Sequence, residues 1–494
     1  MKRALFLPLL TAGALALVVG RPALARGPIT LLGNGDFTAD QGVIGGTGTA
    51  DDPYLIAAVD VQAGAEDVYA IRIENVTAAF TLRGVAIQGG SSSSGAAVRI
   101  ANVAGGRLES CSVSGALNGL EIVSSTGIVL RDCVLYVSGI GLRVTGDVAE
   151  HYAHDIDASN LLNNKEIRYY YGLDGETVSG LTASHLTIAG SRNVKITGNT
   201  VTSGDGIRLA FVTGSTVSAN VVRRTSPVYT EHGLFLFHAS GNVVEGNWLS
   251  NNRLAGLQMT LSSQNVVRQN QIYANDSGIR LVASDENQIT GNLVSANVSG
   301  ILLSGGSSGN TLTENVVSHE NTLQGITLEL ADGNRIERNG VTDCEQGITL
   351  GEQATGNVVE SNTILSGAYG ISVYGSYNWI QKNLIAQEQR GILFPETYAR
   401  SSARENEIRG NVLTDNGQHL YLCLDSSGNR IVDNAFLGAA SALVAARATG
   451  TGGLGRQRVG AGPGCLTAPS PWAPRTCRVR ERSADPADRR TRSS

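Results

Sequence analysis

The sequence predicts an all-β protein, a single-stranded right-handed parallel β-helix: a solenoid of roughly 17 coils, each of about 23 residues. Three observations carry this. A motif, Asn-x-Val/Ile-x-x-Asn followed by Gly-Ile/Leu-x-Leu, returns at near-constant spacing. The apolar residues of each repeat come in short alternating triplets, which is strand periodicity. The 494-residue chain is rich in Gly (61) and poor in aromatics (5%), as expected of many tight turns between short strands.

In chain order, residues 1–25 read as a secretory signal. Met1-Lys2-Arg3 is basic, Ala4 to Gly20 is apolar, and Ala23-Leu24-Ala25 is a small-x-small cleavage site. No later segment is apolar enough to span a bilayer, so no membrane anchor is expected in the mature chain. The expected location is periplasmic or extracellular. The segment from Gly46 to Ile56 is expected to open the repeat region as a turn and first strand.

The repeats then fill residues 26–439. The second Asn of the motif falls at 199, 220, 247, 270, 292, 315, 339, 362, 383, 411 and 434. Stacking puts equal positions of successive coils about 4.8 Å apart. Asn247, Asn270, Asn292, Asn315, Asn339, Asn362 and Asn383 are therefore expected to form a structural ladder of side-chain hydrogen bonds. Asn also tolerates left-handed backbone at a corner. The Gly before each Ile/Leu is expected to serve a second corner. A leucine-rich repeat has a similar period but demands a Leu-x-x-Leu-x-Leu pattern that is missing here. Upstream, Cys111 and Cys133 occupy the ladder position 22 residues apart. A disulfide and two stacked free thiols both remain open.

After Leu437 the period stops, and residues 440–494 read as a disordered Arg/Gly/Pro-rich tail. Charge divides accordingly. Residues 26–439 carry 25 Lys/Arg against 40 Asp/Glu, and the tail carries 10 Arg against 3 acids. So acidic a body argues against nucleic acid as the partner.

Three segments exceed the coil length: 146–180, 222–232 and 395–405. Loops out of step with a rigid solenoid are where function is usually carried. The first two are close enough along the solenoid to share a cleft. Together they supply the candidate ligand-binding residues His151, His154, Asp155, Asp157, Lys165, Tyr169, Tyr170, Tyr229 and His232. Tyr faces stack on sugar rings, and carboxylates with His suit acid/base work. The structural alternative is a hairpin, with Lys165 to Tyr171 as a strand and its tyrosines as packing. His151, His154 and Asp155 have a spacing that suits copper or zinc. Yet the only Met after the signal is Met259, there is no Cys/His cluster, and no metal ligand is assigned. Hydrolases and lyases on this fold need clustered Asp on adjacent coils. The repeats offer scattered Glu instead (Glu245, Glu314, Glu337, Glu360), read as a solvated edge, so no catalytic residue or cofactor is assigned.

The Gly46-Thr-Gly-Thr-Ala-Asp-Asp-Pro-Tyr-Leu-Ile56 opening, the Asn/Gly-Ile-x-Leu coils and the His154-Asp-Ile-Asp-x-Ser-Asn160…Asn164-Lys165…Tyr169-Tyr170 segment resemble the NosD-like β-helix family over residues 43–437. The resemblance implies the same fold, with repeats shared by carbohydrate-binding and sugar-hydrolase proteins. It also implies a periplasmic setting in which NosD helps supply copper to nitrous oxide reductase. The function expected is thus an extracytoplasmic β-helix that binds, and in a wider reading modifies, polysaccharide. The alternatives are a NosD-type accessory role in copper-enzyme maturation through protein contacts, and a structural surface protein.

Overall fold

The computed structural model describes residues 24–438, apart from residue 65 and stretches 91–94, 224–231, 396–402 and 423–425, together with two-residue strands at 444–445 and 458–459. Tyr229 and most of the 440–494 tail lie outside the described residues. The architecture is a parallel β-solenoid of about 16 turns, close to the 17 expected. By contacts the chain divides into two compact units, with the boundary after Ile167.

In the first unit, three series of short strands stack in parallel. One runs through Ile29–Leu31, Ile71–Glu74, Val98–Ala101, Leu120–Val123 and Leu142–Thr145. Strands Leu24–Arg26 and Ile29–Leu31 already pair with Val59–Gln62 and Ile71–Glu74, so the stacking begins before Gly46. Tyr54–Ala57 pairs antiparallel with Val43–Gly45 and parallel with Phe80–Arg83. Phe37 stacks on Tyr54 at 4.7 Å and lies 5.8 Å from Phe80, which gives this end an aromatic cover. Lys165–Tyr171 turns back antiparallel on Leu161–Leu162. Asn163 and Asn164 both have positive φ (49° and 67°), the geometry of the two-residue hairpin turn that matches strand twist. The hairpin alternative is therefore the one realised for this segment.

The second unit is more regular. Each coil contributes a strand to a 12-stranded parallel sheet running from Thr177–Ser179 to Arg430–Val432, and two further strands to the other parallel series. Alternation sends Val244, Leu249, Leu257, Met259, Val267, Ile272, Ile279 and Leu281 inward, each at most 1% exposed. Outward charges pair across neighbouring coils. Arg268 meets Glu245, while Glu360 receives both Arg335 and Lys382. The Glu edge is thus a ladder of surface ion pairs, each worth about 0–1 kcal/mol.

The Asn ladder spans Asn199 to Asn434, every member at most 2% exposed. Each Nδ2 donates to the Oδ1 of the next coil's Asn at 2.9–3.0 Å. The same Oδ1 accepts the backbone N–H of the preceding Asn, as Asn315 Oδ1 does from Asn292. A second ladder, from Asn242 to Asn429, uses the first Asn of the motif at 3.0–3.2 Å. A shorter third run links Asn252, Asn275 and Asn297.

Two expectations about the corners are corrected. The left-handed residue is the one before the ladder Asn: Gln269, Glu314, Arg338, Ser361 and Lys382 all have φ between 52° and 57°. Asn stands there to hydrogen-bond, and its bonds offset the roughly 1–2 kcal/mol that a left-handed non-Gly residue costs. Gly278, Gly300, Gly325 and Gly347 have no positive φ, so they are not there for backbone freedom. They allow close stacking: a Cβ on Gly347 would lie 2.5 Å from the Gly370 carbonyl oxygen and 2.6 Å from an Ile364 methyl.

The third corner carries an exception. Register places Cys344, Gly367, Glu388 and Asn416 in one row, each two residues past the paired Thr342, Leu365, Ala386 and Thr414. Glu388 is 3% exposed, and its Oε2 has no hydrogen-bond partner. That oxygen lies over Gly367, 2.7 Å from where a Cβ would stand. Burial pushes the Glu388 carboxyl up to about 7, outweighing a hydrogen bond from the Gly367 backbone N–H, and the charge of Asp343 adds to the rise.

Candidate functional site

The densest chemistry lies on one outward row of the second unit. Strands Thr182–Ala189, Thr200–Ala210, Leu234–Phe237, Ala255–Thr260 and Ser277–Val282 stack in register. Their inward residues are Leu186, Ile207, Leu234, Leu257 and Ile279. Alternation therefore turns Thr187, Arg208, Phe235, Gln258 and Arg280 outward in a single line. Arg208 and Arg280 are three strand spacings apart, about 14 Å.

Around Phe235 the groups converge. The Arg208 guanidinium lies 5.5 Å from its ring centroid, and the His232 ring stacks on it at 5.2 Å. Burial, with the positive charges of Arg208 and Arg280, pushes His232 down to about 3, so this imidazole is neutral. Beside it, Phe211 stacks on His238 at 4.9 Å, and Phe237 meets the same His edge-on at 4.5 Å. Three of the chain's eight Phe thus gather on one stretch of this face. His232 Nδ1, Gln258 Oε1 and Arg280 Nε are buried atoms without a hydrogen-bond partner.

On the first strand of the row, two residues before Thr187, His185 sits between a carboxylate and a hydroxyl. Its Nδ1 lies 2.8 Å from Asp205 Oδ2 and its Nε2 2.7 Å from Thr187 Oγ1. That order of groups polarises a hydroxyl in hydrolases. Here Thr187 is only 3% exposed, too buried to meet a substrate, and the network fixes the strand beside Arg208.

The residues expected from sequence are distributed as follows. His151 lies on the 3-10 turn Ala149–Tyr152 of the first unit. His154 is buried, and its Nδ1 accepts the Ile128 N–H at 3.3 Å. Burial pushes this imidazole down to about 4. Asp155 and Asp157 are exposed and both pair with Arg131. Lys165 starts the hairpin strand. In the second unit Tyr169 is buried, Tyr170 packs against the hydrophobic core, and Tyr171, the most exposed of the three, lies over Gly190. Of the eight candidates among the described residues, His232 alone lies against the Arg/Phe row, stacked on Phe235. Sequence reading missed Arg208, Phe235, Gln258 and Arg280. Their signal was available, since each is the x of a Gly-Ile/Leu-x-Leu-type triplet, and these x positions stack.

Comparison with known families matches residues 154–323 and 308–448 to the family described as "Periplasmic copper-binding protein (NosD)". No curated protein matches the chain. Among solved structures, the periplasmic alginate epimerase AlgG is 13% identical with a TM-score of 0.30, over 83% of this chain and 85% of that one. An alginate lyase from Paenibacillus sp. is 16% identical with a TM-score of 0.31, over 58% of this chain and 99% of that one. DFA-IIIase from Arthrobacter chlorophenolicus is 12% identical with a TM-score of 0.34, over 56% and 81%. Likeness this distant carries nothing about what this chain binds.

Proposed function

Because the chain belongs to the NosD family, a family shown by a match over more than half its length, we propose that it is an extracytoplasmic parallel β-helix that binds polysaccharide along the Arg208–Arg280 row. The observation that carries this is the row itself. It lines up an aromatic ring, an amide and the Arg280 guanidinium on successive strands of a rigid sheet, with the buried Arg208 guanidinium 5.5 Å from the ring and half-buried Phe211 and Phe237 alongside. Aromatic faces take the apolar face of a sugar ring, and amide and guanidinium groups take its oxygens. A linear polymer suits a linear site whose groups recur at one strand spacing.

Retention on immobilised polysaccharides tests the reading. Phe235→Ala is expected to weaken binding about tenfold while the circular dichroism stays unchanged. Equal retention of the variant and the wild type, or no retention of either on any polymer, counts against it.

A second reading, an accessory role in copper-enzyme maturation, is favoured by the family description. Among the described residues no group of three His, Cys, Asp or Glu converges. Met259 is sealed in the core, and His232 lies between two cations. These donors do not fit a copper centre, so on this reading the chain acts through protein contacts. Co-purification with a copper enzyme or its transporter from the source cells tests it.

A further inference from the structure

We propose that the Arg208–Arg280 row recognises an oxyanion carried by the sugar, a carboxylate or a sulfate. The inference rests on the polysaccharide reading and narrows its substrate class. Arg280 carries most of the argument. Many of the other arginines are bridged by carboxylates, among them Arg131 by Asp155, Arg192 by Asp174, Arg268 by Glu245 and Arg335 by Glu360, while Arg390 bonds Gln418 and lies over Tyr421. Arg280 makes no ion pair and no hydrogen bond among the described residues, although its Nε is buried. A guanidinium nitrogen taken from water without an acceptor is costly unless a ligand supplies one.

The other orphaned atoms say what else that ligand carries. Gln258 Nε2 is engaged by Thr260 Oγ1 at 3.0 Å, so Gln258 Oε1 is left as a buried acceptor. It needs a donor, which a sugar hydroxyl provides and a bare inorganic anion does not. His232 Nδ1 is the third. Held neutral by burial and two neighbouring cations, His232 gains a partner when an anion arrives, and its protonated form then costs less. One ligand with a negative oxygen and adjacent hydroxyls satisfies all three atoms.

Calorimetric titration of the full chain tests this with four probes: oligogalacturonate, the same oligomer with its carboxyls reduced to alcohols, dextran and dextran sulfate. Oligogalacturonate is expected to bind at least about tenfold tighter than its reduced form if the oxyanion is a carboxylate. Dextran sulfate is expected to exceed dextran by a similar factor if it is a sulfate. In either case Arg280→Gln removes the preference, Arg280→Lys restores part of it, and bound ligand moves the His232 imidazole resonances toward the protonated form. The proposal is overturned if charged and neutral probes bind alike and Arg280→Gln leaves affinity unchanged; glycan binding itself then stands. Failure of every probe, neutral ones included, removes the polysaccharide reading and this inference with it.

Discussion

Asn292→Ala is expected to lower stability by about 3–6 kcal/mol, read as a drop in the urea midpoint at unchanged slope. Asn292 Oδ1 accepts both the backbone N–H and the Nδ2 of Asn270, at 3.0 and 2.9 Å. Its own Nδ2 donates to the Val267 carbonyl at 3.0 Å and to Asn315 Oδ1 at 2.9 Å. Alanine orphans two buried donors and a carbonyl, each costing about 1–3 kcal/mol. Water cannot repair the loss, since Asn292 is 1% exposed. Asn292→Asp separates the two halves of this account. It keeps the acceptor for Asn270 but loses the donor to Val267 and sets a carboxylate against Asn315 Oδ1, so it is expected to be no better than alanine at neutral pH. A loss under 1 kcal/mol for both variants would show that the ladder follows from the stacking and does not stabilise it.

The second large effect is pH-dependent. Glu388 is held protonated in the fold up to about 7, whereas in an unfolded chain it ionises near the ordinary Glu value of about 4.3. The folded state therefore binds more protons across that interval, and stability falls as pH rises through it, by up to about 3 kcal/mol. Glu388→Gln mimics the protonated form and removes the dependence. The difference between variant and wild type should be small at pH 4.5, grow to about 3 kcal/mol in favour of Gln by pH 7.5, and stay level above. Comparing the two proteins at each pH is essential. His154 and His232, held down at about 4 and 3, act in the opposite sense and lose stability as pH falls below about 6.5. That contribution is common to both proteins and cancels. A flat difference across the range would mean that Glu388 finds a partner when it ionises.

Much of the fold was legible because one signal repeats. The Asn spacing and the alternating triplets define the solenoid, and the ladder partners follow from spacing alone. What stayed hidden was which physical constraint each repeated residue answers. Asn and Gly are both turn residues by propensity, so a corner role suggests itself for Gly and, beside the ladder, for Asn. In the coil the left-handed position passes to the residue before Asn, as at Gln269 and Arg338, and glycine such as Gly347 answers a steric demand from the next coil. The candidate site was less legible. The irregular segments carry His154, Tyr169 and Tyr170, which are buried or packed, because an out-of-step segment needs packing of its own. The Arg208–Phe235–Gln258–Arg280 row lay inside regular repeats, at positions a consensus leaves blank.

Those blank positions have a consequence for how such a chain changes over generations. The polyamide ladders and the glycine contacts use no atom of a half-exposed x residue such as Gln258 or Arg280. A single substitution at such a half-exposed position can therefore rewrite one register of the outward face without touching the ladders. Duplication of a whole coil lengthens that surface by one unit while leaving every neighbour relation intact. The chemistry of the outward face and its length thus become separately inheritable traits.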